Sequence, residues 1–461
     1  MCGVIGIINK NKPVASELLI GMLSLQHRGQ DGCGIITFDN NTHHIKKGEG
    51  LVQNFFNDRE LKEFKGNVGI GHTRYRTAGS ASNKNLHPFL VSSTKKVAMV
   101  ENGNITNYHE IKEKLKQKGV FLETTTDIEP ITKIFAYEFE MSSNIFYSAS
   151  QLMKKIRGGY SLVGIVENFG LFAIRDPHGI KPLMLGKKND SYCLASESIT
   201  FQCLGYEFVR DVYPGEVILI DNNLNITTEI IKEQPHTPCM FEWVYFARPD
   251  SKLDERSVNN ARLKLGELIA QRWEKEIDVV IPVPDTSRTA AIKFAETLGV
   301  KYREGLIKNR YIGRTFIMPT QELRESSVRL KLNPILSIIE NKRIALFDDS
   351  IVRGTTARKI ISMLKENGAR EIHLVSTCPP ITHPCFYGVN MPSKKELIAS
   401  SKSIEEIRQE LGADSLTYAT LNEIKQALKK TSLCMACLDG NYPTDISEEE
   451  KLIMASPQDG C

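Results

Sequence analysis

Cysteine stands at position 2, in the opening run MCGVIGI. It is small enough for methionine aminopeptidase to remove the residue before it, so Cys2 is expected to carry both a free α-amine and a thiol. Those two groups can act as base and nucleophile within one residue. An unperturbed thiol has a pKa of about 8.5 and an α-amine about 7.7–8.0, so the amine can take the thiol proton near neutral pH. Suitable partners recur downstream. GHTRYRTAG at 71–79 holds Arg74, able to grip a carboxylate through two N–H groups. ENGNITN at 101–107 holds Asn102 and the Gly103 N–H, which can form an oxyanion hole for a tetrahedral intermediate. TTTDIEP at 124–130 holds Asp127, a counter-charge for an α-ammonium.

A second constellation lies in IALFDDSIVRGTT, 344–356. An apolar strand ends in two acids, and a loop with Gly354, Thr355 and Thr356 leads into a helix. Backbone N–H groups and the two hydroxyls at the helix N-terminus suit a phosphate. Asp348 and Asp349 could hold ribose hydroxyls or Mg²⁺. The spacing lacks the Gly-Lys-Ser/Thr of a Walker loop. A third constellation is the C-x-x-C pair Cys434 and Cys437, with Cys239 and Cys385 far away in sequence. Such a pair serves zinc, an iron–sulfur cluster, redox chemistry or nothing, and spacing alone ranks zinc or nothing first.

These residues need rigid elements to hold them. Residues 2–8 read as a strand and 15–26 as a helix, with Leu18, Leu19, Met22 and Leu25 at helical spacing. Short strands are expected at 68–73, 97–101, 161–166 and 171–175, giving a strand-rich α+β or layered domain over 2–230. KEQPHTPC then marks a boundary. From 255 to 380 the pattern becomes strand–helix–strand: DVVIPV, a helix to Gly299, RIALF, a helix at 357–366 and IHLVST, which argues a parallel α/β sheet. Residues 381–461 read as a helical extension with an irregular tail.

The 461 residues exceed one ordinary core, and 41% hydrophobic with 25% charged residues is the composition of a soluble globular protein. No apolar run reaches a membrane span and no signal peptide is evident, so a cytoplasmic protein is expected. A net charge of +4, scattered along the chain, gives nucleic-acid binding little support.

The first constellation, with QHRGQDGCGI at 26–35 and RDPHGIKPLMLG at 175–186, resembles the N-terminal-nucleophile glutaminase domain of class II amidotransferases. The second resembles the signature of type I phosphoribosyltransferases. VPDTSRTAA at 283–291 looks like their pyrophosphate and metal loop, and KNRYIGRTFI at 308–317 like their mobile lid, with Lys308, Arg310 and Arg314 spaced for a phosphate-rich ligand and Gly313 as hinge. The contexts HTPCMFEWVYFARPDS, THPCFYGVNMPS and LCMACLDGNYPT resemble those of the iron–sulfur subgroup of glutamine phosphoribosylpyrophosphate amidotransferases.

The resemblance implies a layered αββα glutaminase domain followed by an α/β phosphoribosyltransferase domain. It implies glutamine-dependent amination of phosphoribosyl pyrophosphate to 5-phosphoribosylamine, with release of glutamate and pyrophosphate, opening purine synthesis. Cys2 would attack glutamine, Asn102 and Gly103 would stabilise the oxyanion, and Arg74 and Asp127 would bind the amino-acid end. Phosphoribosyl pyrophosphate would meet Asp348, Asp349, Ser350, Arg353, Gly354, Thr355, Thr356, Lys308 and Arg310. Mg²⁺ would lie near Thr286, Asp348 and Asp349, and Cys239, Cys385, Cys434 and Cys437 would hold a structural [4Fe–4S]. Purine nucleotide inhibitors and a homotetramer are also implied, with neither nucleic acid nor membrane as partner. Cys33, Cys193, Cys203, Cys378 and Cys461 have no assigned role.

Three positions depart from the family pattern. Arg76 adds a charge near Arg74, Ile128 removes a hydroxyl after Asp127, and Ser287 replaces a glycine after Thr286. These leave open an ammonia-only enzyme with an impaired glutaminase. A DNA-binding sensor of phosphoribosyl pyrophosphate would need a helix-turn-helix, which is not found. A sugar-phosphate aminating enzyme would lack DDSIVRGTT.

Overall fold

The computed structural model describes residues 1–39, 42–75, 83–309, 332–391, 393–448 and 451–452. In the first half, two antiparallel sheets stack face to face. The first has seven strands in the order Glu207–Asp211, Met184–Lys188, Ser191–Ala195, Gly3–Asn9, Val68–Arg74, Gly32–Asp39 and Thr42–Glu49. The second has six: Ile226–Ile230, Glu216–Asp221, Gly170–Arg175, Gly158–Val166, Lys96–Ile105 and Phe89–Ser92. Val4, Ile36 and Ile70 meet Val100, Val163 and Ala173 between the sheets.

The outer faces are covered too. Leu18 and Met22 of helix Ala15–Ser24 join Phe201 and Leu204 of helix Ile199–Leu204 over Ile5 and Ile7. Helices Ile128–Ser142 and Ile145–Lys155 cover the second sheet through Ile131, Phe135 and Leu152. The result is the four-layered αββα arrangement expected. Burial on both faces explains why strands such as GVIGIIN are apolar at nearly every position.

Strand Gly3–Asn9 runs between Val68–Arg74 and Ser191–Ala195, with Gly3 opposite Thr73. This register delivers Cys2 beside the end of the strand that carries Arg74. A buried network then fixes the chain there. Arg28 Nε donates to the Cys2 carbonyl at 2.9 Å, while its terminal nitrogens reach Glu197 at 2.5 Å and Glu242 at 2.7 Å. Glu197 also takes the Arg248 N–H and the Ser251 hydroxyl, so the interdomain segment is tied to the same point.

Burial opposes ionisation of Glu197, but His27 and Arg28 override it and hold its carboxyl well below the usual range. A folded pKa below the unfolded one stabilises fully above the unfolded value and fades as the pH falls through the folded one. Glu197→Gln should cost about 3–5 kcal/mol at neutral pH because it strips a partner from buried Arg28. Urea unfolding should show this penalty shrinking below about pH 4.5, where the unfolded carboxyl begins to take up protons.

The second half holds a five-stranded, wholly parallel sheet, ordered Lys301–Tyr302, Val279–Pro282, Arg343–Asp348, Glu371–Ser376 and Ser415–Tyr418. Helices Val258–Gln271 and Arg288–Leu298 pack one face through Ile269, Phe294 and Ala291. Helices Thr355–Glu366 and Ile404–Leu411 pack the other through Ile360, Leu364 and Ile407. The sheet runs past the expected limit at 380, because Ser415–Tyr418 of the supposed helical extension pairs with Glu371–Ser376. Four residues of mixed polarity carry too short a pattern to announce a strand. Among the described residues, no helix is long and apolar enough to cross a membrane.

Candidate functional site

The Cys2 N–H donates to Asn102 Oδ1 at 3.2 Å, and the Tyr75 N–H points at the Cys2 sulfur at 3.5 Å. Asn102 is completely buried, and among the described residues its Nδ2 has no hydrogen-bond partner. A buried NH₂ without an acceptor costs free energy, and a developing oxyanion would supply the acceptor. Gly103 has φ +150°, and a Cβ there would lie 2.1 Å from the Gly159 carbonyl oxygen, so only glycine fits.

Asp127 immediately precedes helix Ile128–Ser142, and its Oδ2 accepts the Ile105 N–H at 3.1 Å. Arg74 is buried at the end of its strand, close enough for its charge to act on Asp127. The fold thus brings Cys2, Asn102, Gly103, Arg74 and Asp127 together. Ile128 proves to be a core residue, 1% exposed among Ile131, Ile134 and Phe135. Arg76 lies outside the described residues.

Two groups beside this site were missed from sequence. Lys181 is fully buried with Nζ 2.7 Å from the Met1 sulfur. Glu101 is also buried, one residue before Asn102; its place in ENGNITN was the signal available.

The second site forms at the C-terminal ends of paired strands. Pro282 is opposite Phe347, so the loops after Val279–Pro282 and Arg343–Asp348 emerge side by side. Asp348 and Asp349 are half-buried. The Asp349 N–H donates to Asp348 Oδ1 at 2.9 Å, and the Ser350 hydroxyl to Asp349 Oδ1 at 2.8 Å. Burial and mutual repulsion push the Asp348 carboxyl well up, while burial raises Asp349 to about 6. Gly354, at φ +73°, turns the chain into helix Thr355–Glu366, where Thr355 and Thr356 are exposed on the first turn.

Other expected residues are placed less directly. Arg353 pairs with Glu396, and Lys308 with Asp285 at 2.8 Å. Thr286 is half-buried on the neighbouring loop. Ser287 has φ −74°, which any residue adopts, and its Oγ donates to the Val283 carbonyl at 2.5 Å, so no glycine is needed there. Arg310, Gly313 and Arg314 lie outside the described residues.

The four expected cysteines converge on one cavity. Cys239, Cys385, Cys434 and Cys437 line it with Ile180, Phe241, Tyr387, Val389, Met391 and Tyr442. The backbones of Cys239 and Cys434 form an isolated parallel β-bridge, with the Cys434 N–H donating to the Pro238 carbonyl at 2.9 Å. Burial pushes the Cys239 thiol up to about 11, and those of Cys434 and Cys437 well above their usual value. Among the described residues, no three His, Cys, Asp or Glu side chains gather tightly enough for a single metal ion. Four thiols around an apolar cavity are a donor set of the kind that takes zinc or an iron–sulfur group.

The fold and these sites define a glutamine amidotransferase joined to a phosphoribosyltransferase. Family models agree: the glutamine amidotransferase domain matches residues 72–202 and the phosphoribosyl transferase domain 256–399. An amidophosphoribosyltransferase of Methanothermobacter thermautotrophicus is 46% identical over 98% of this chain and 97% of its own length. That of Escherichia coli is 45% identical over 93% and 89%. The glutamine phosphoribosylpyrophosphate amidotransferase from B. subtilis, solved complexed with ADP and GMP, superimposes with a TM-score of 0.90 at 39% identity over 97% of this chain and 98% of that one. The chain belongs to the amidophosphoribosyltransferase family, whose glutamine-dependent reaction is the first step of purine biosynthesis.

Proposed function

We propose that Cys2, freed from Met1, attacks the side-chain amide of glutamine while its own amine carries the thiol proton to the leaving ammonia. The carrying observation is the buried Asn102 side chain, whose Oδ1 orients Cys2 and whose Nδ2 awaits an acceptor. Asn102 Nδ2 and the Gly103 N–H receive the oxyanion, and Arg74 and Asp127 hold the substrate's carboxylate and ammonium. With Met1 in place, the Cys2 nitrogen is a peptide nitrogen without basicity, so methionine removal is what creates the base.

Ammonia then passes through the interior to C1 of phosphoribosyl pyrophosphate and displaces pyrophosphate. Asp348 and Asp349 face the ribose hydroxyls, and the loop Ser350, Arg353, Gly354, Thr355 and Thr356 cradles the 5-phosphate. Lys308 and Arg310 supply positive charge to the pyrophosphate. Mg²⁺, when bound, neutralises pyrophosphate charge; the adjacent carboxyls of Asp348 and Asp349, which burial keeps from ionising together, suit a cation, with Thr286 nearby.

Cys239, Cys385, Cys434 and Cys437 hold a [4Fe–4S] cluster whose role is structural. The donor set and apolar lining fit it, and cluster binding would take the protons from these four thiols. It would join the interdomain segment, the loop at 382–391 and the carboxyl-terminal segment. Feedback by purine nucleotides is supported by the relative solved complexed with ADP and GMP. A homotetramer in the cytoplasm completes the reading.

The test is anaerobic glutamate release, with and without phosphoribosyl pyrophosphate and Mg²⁺. Release that rises with the second substrate supports coupled sites. Pyrophosphate formed from ammonia without glutamate release would refute a working glutaminase. Iron and acid-labile sulfide assays on the same preparation, beside Cys434→Ser, test the cluster: equal iron in both would sink the ligand assignment.

A further inference from the structure

Glu101 sits one residue before the oxyanion-hole Asn102 and has been given no part in the reaction. It is 2% exposed, and among the described residues neither carboxyl oxygen accepts a hydrogen bond from any N–H or hydroxyl. Alternation along strand Lys96–Ile105 explains where it points. Val100 enters the layer between the sheets, while Val97 and Met99 enter the layer beneath helix Ile128–Ser142. Glu101 shares the parity of Val97 and Met99, so it faces the helix layer, against whose N-terminus Asp127 stands.

Its backbone cannot drift. The His72 Nε2 contacts the Glu101 carbonyl at 3.0 Å, the Glu101 N–H donates to His87 Nδ1 at 3.3 Å, and the two imidazoles stack at 4.2 Å. Asp127 takes the N–H of Ile105, a residue of the same parity as Glu101 four places further along the same strand, which puts the two buried carboxyls on one side of that strand, where they act on each other. Two buried carboxyls in that position disfavour each other's ionisation, which favours a state in which the pair shares one proton.

Which oxygen keeps the proton is decided by the donors. Burial raises the Asp127 carboxyl as well, but Asp127 accepts the Ile105 N–H and feels the Arg74 charge, both of which favour its ionised form. Among the described residues Glu101 has no donor to stabilise a negative charge, and the charge of Cys2 disfavours one further; Lys181 acts the other way. Burial pushes the Glu101 carboxyl well above its usual range.

We propose that Glu101 is a positioning residue of the glutaminase: its carboxyl O–H donates to Asp127, keeps a single negative charge on that side chain, and aims it at the ammonium of glutamine. The inference rests on reading Asp127 as the seat of that ammonium. A glutamine at 101 would do the same work, because its NH₂ is a donor of the same reach. A leucine would fill the volume and leave Asp127 one donor short.

The experiment measures kcat and KM for glutamine in the full-length enzyme and in Glu101→Gln, Glu101→Leu and Asp127→Asn. Ammonia-dependent phosphoribosylamine formation in each shows that the fold is intact. Glu101→Gln is expected to keep kcat/KM within about threefold of the parent, because one neutral donor replaces another. Glu101→Leu is expected to raise KM by about tenfold or more while kcat changes much less, the pattern of lost substrate positioning. A Gln variant as impaired as the Leu variant would mean that an ionised carboxylate is required, and would overturn the proposal. So would a Leu variant matching the parent. Asp127→Asn with an unchanged KM would remove the reading beneath it, independently of either Glu101 variant.

Discussion

Cys2→Ala is expected to lower glutamine-dependent phosphoribosylamine formation by about 10⁴-fold or more and to leave the ammonia-dependent reaction close to that of the parent. The asymmetry follows from the architecture. Cys2 belongs to the layered αββα half, while the acids Asp348 and Asp349 end a strand of the parallel sheet in the other half. Alanine retains the backbone N–H that meets Asn102 and the carbonyl that Arg28 holds, so the entry to strand Gly3–Asn9 should survive. Asn102→Ala should cost less, about 10²–10³-fold in kcat, since it removes one oxyanion donor and leaves the nucleophile. Parallel assays with glutamine and with ammonium chloride check both. Equal loss on the two nitrogen sources would mean that Cys2 supports the whole fold rather than one reaction.

Replacing Asp348 and Asp349 together by Asn should do the opposite and depress both reactions by about 10²–10³-fold, because either nitrogen source needs the bound ribose. Asn is close in size, and the backbone around the pair is held from elsewhere: the Thr377 N–H donates to the Asp348 carbonyl at 3.1 Å, and the Thr377 hydroxyl to that of Asp349 at 3.3 Å. Glutamate release without phosphoribosyl pyrophosphate should be unchanged in the variant. The same pair sets a pH dependence. Burial raises the Asp349 carboxyl to about 6, so it takes up a proton as the pH falls through that value. Affinity for phosphoribosyl pyrophosphate with Mg²⁺ should therefore weaken below about pH 6, as acceptors for hydroxyls and cation are lost. Titration calorimetry across that range would measure it, and an affinity that is flat or rises on acidification would contradict the role given to these acids.

The carboxyl-terminal segment touches the glutaminase half beside the strand that carries Asn102. The Asn104 side chain donates to the Phe386 carbonyl at 3.1 Å, and Gly388 packs against the backbone of Gly103. The segment that carries Cys385 thus leans on the strand that carries Asn102. Gly388 has φ +87°, and a Cβ there would lie 2.7 Å from the Gly103 carbonyl oxygen, so the contact depends on glycine at 388.

Much of this was legible in the chain because local chemistry is written locally. The apolar runs DVVIPV and RIALF mark buried parallel strands, and the acids after RIALF mark the loop at the end of the second, whatever surrounds them. Two departures from the family pattern could not be weighed that way. Ile128 seemed to remove a hydroxyl from the site, yet its side chain enters the helix-layer core beside Phe135. Ser287 stood where glycine is usual, yet the backbone there is ordinary helical geometry. The direction of a side chain and the φ of one residue depend on neighbours distant in sequence.

The sequence by itself determined which groups are available: a thiol at position 2, an amide and glycine at 102 and 103, paired acids at 348 and 349, and four cysteines in distinctive contexts. It determined the class of each domain, because periodicity records which faces of a strand or helix are buried. The tertiary structure alone decided that cysteines nearly two hundred positions apart share one cavity, that Ser415–Tyr418 completes the parallel sheet, and that Arg28, Glu197 and Glu242 clamp the Cys2 backbone. It alone turned Glu101 toward Asp127. Such pairings are selected by the packing of whole layers, and no short window of residues contains the information that selects them.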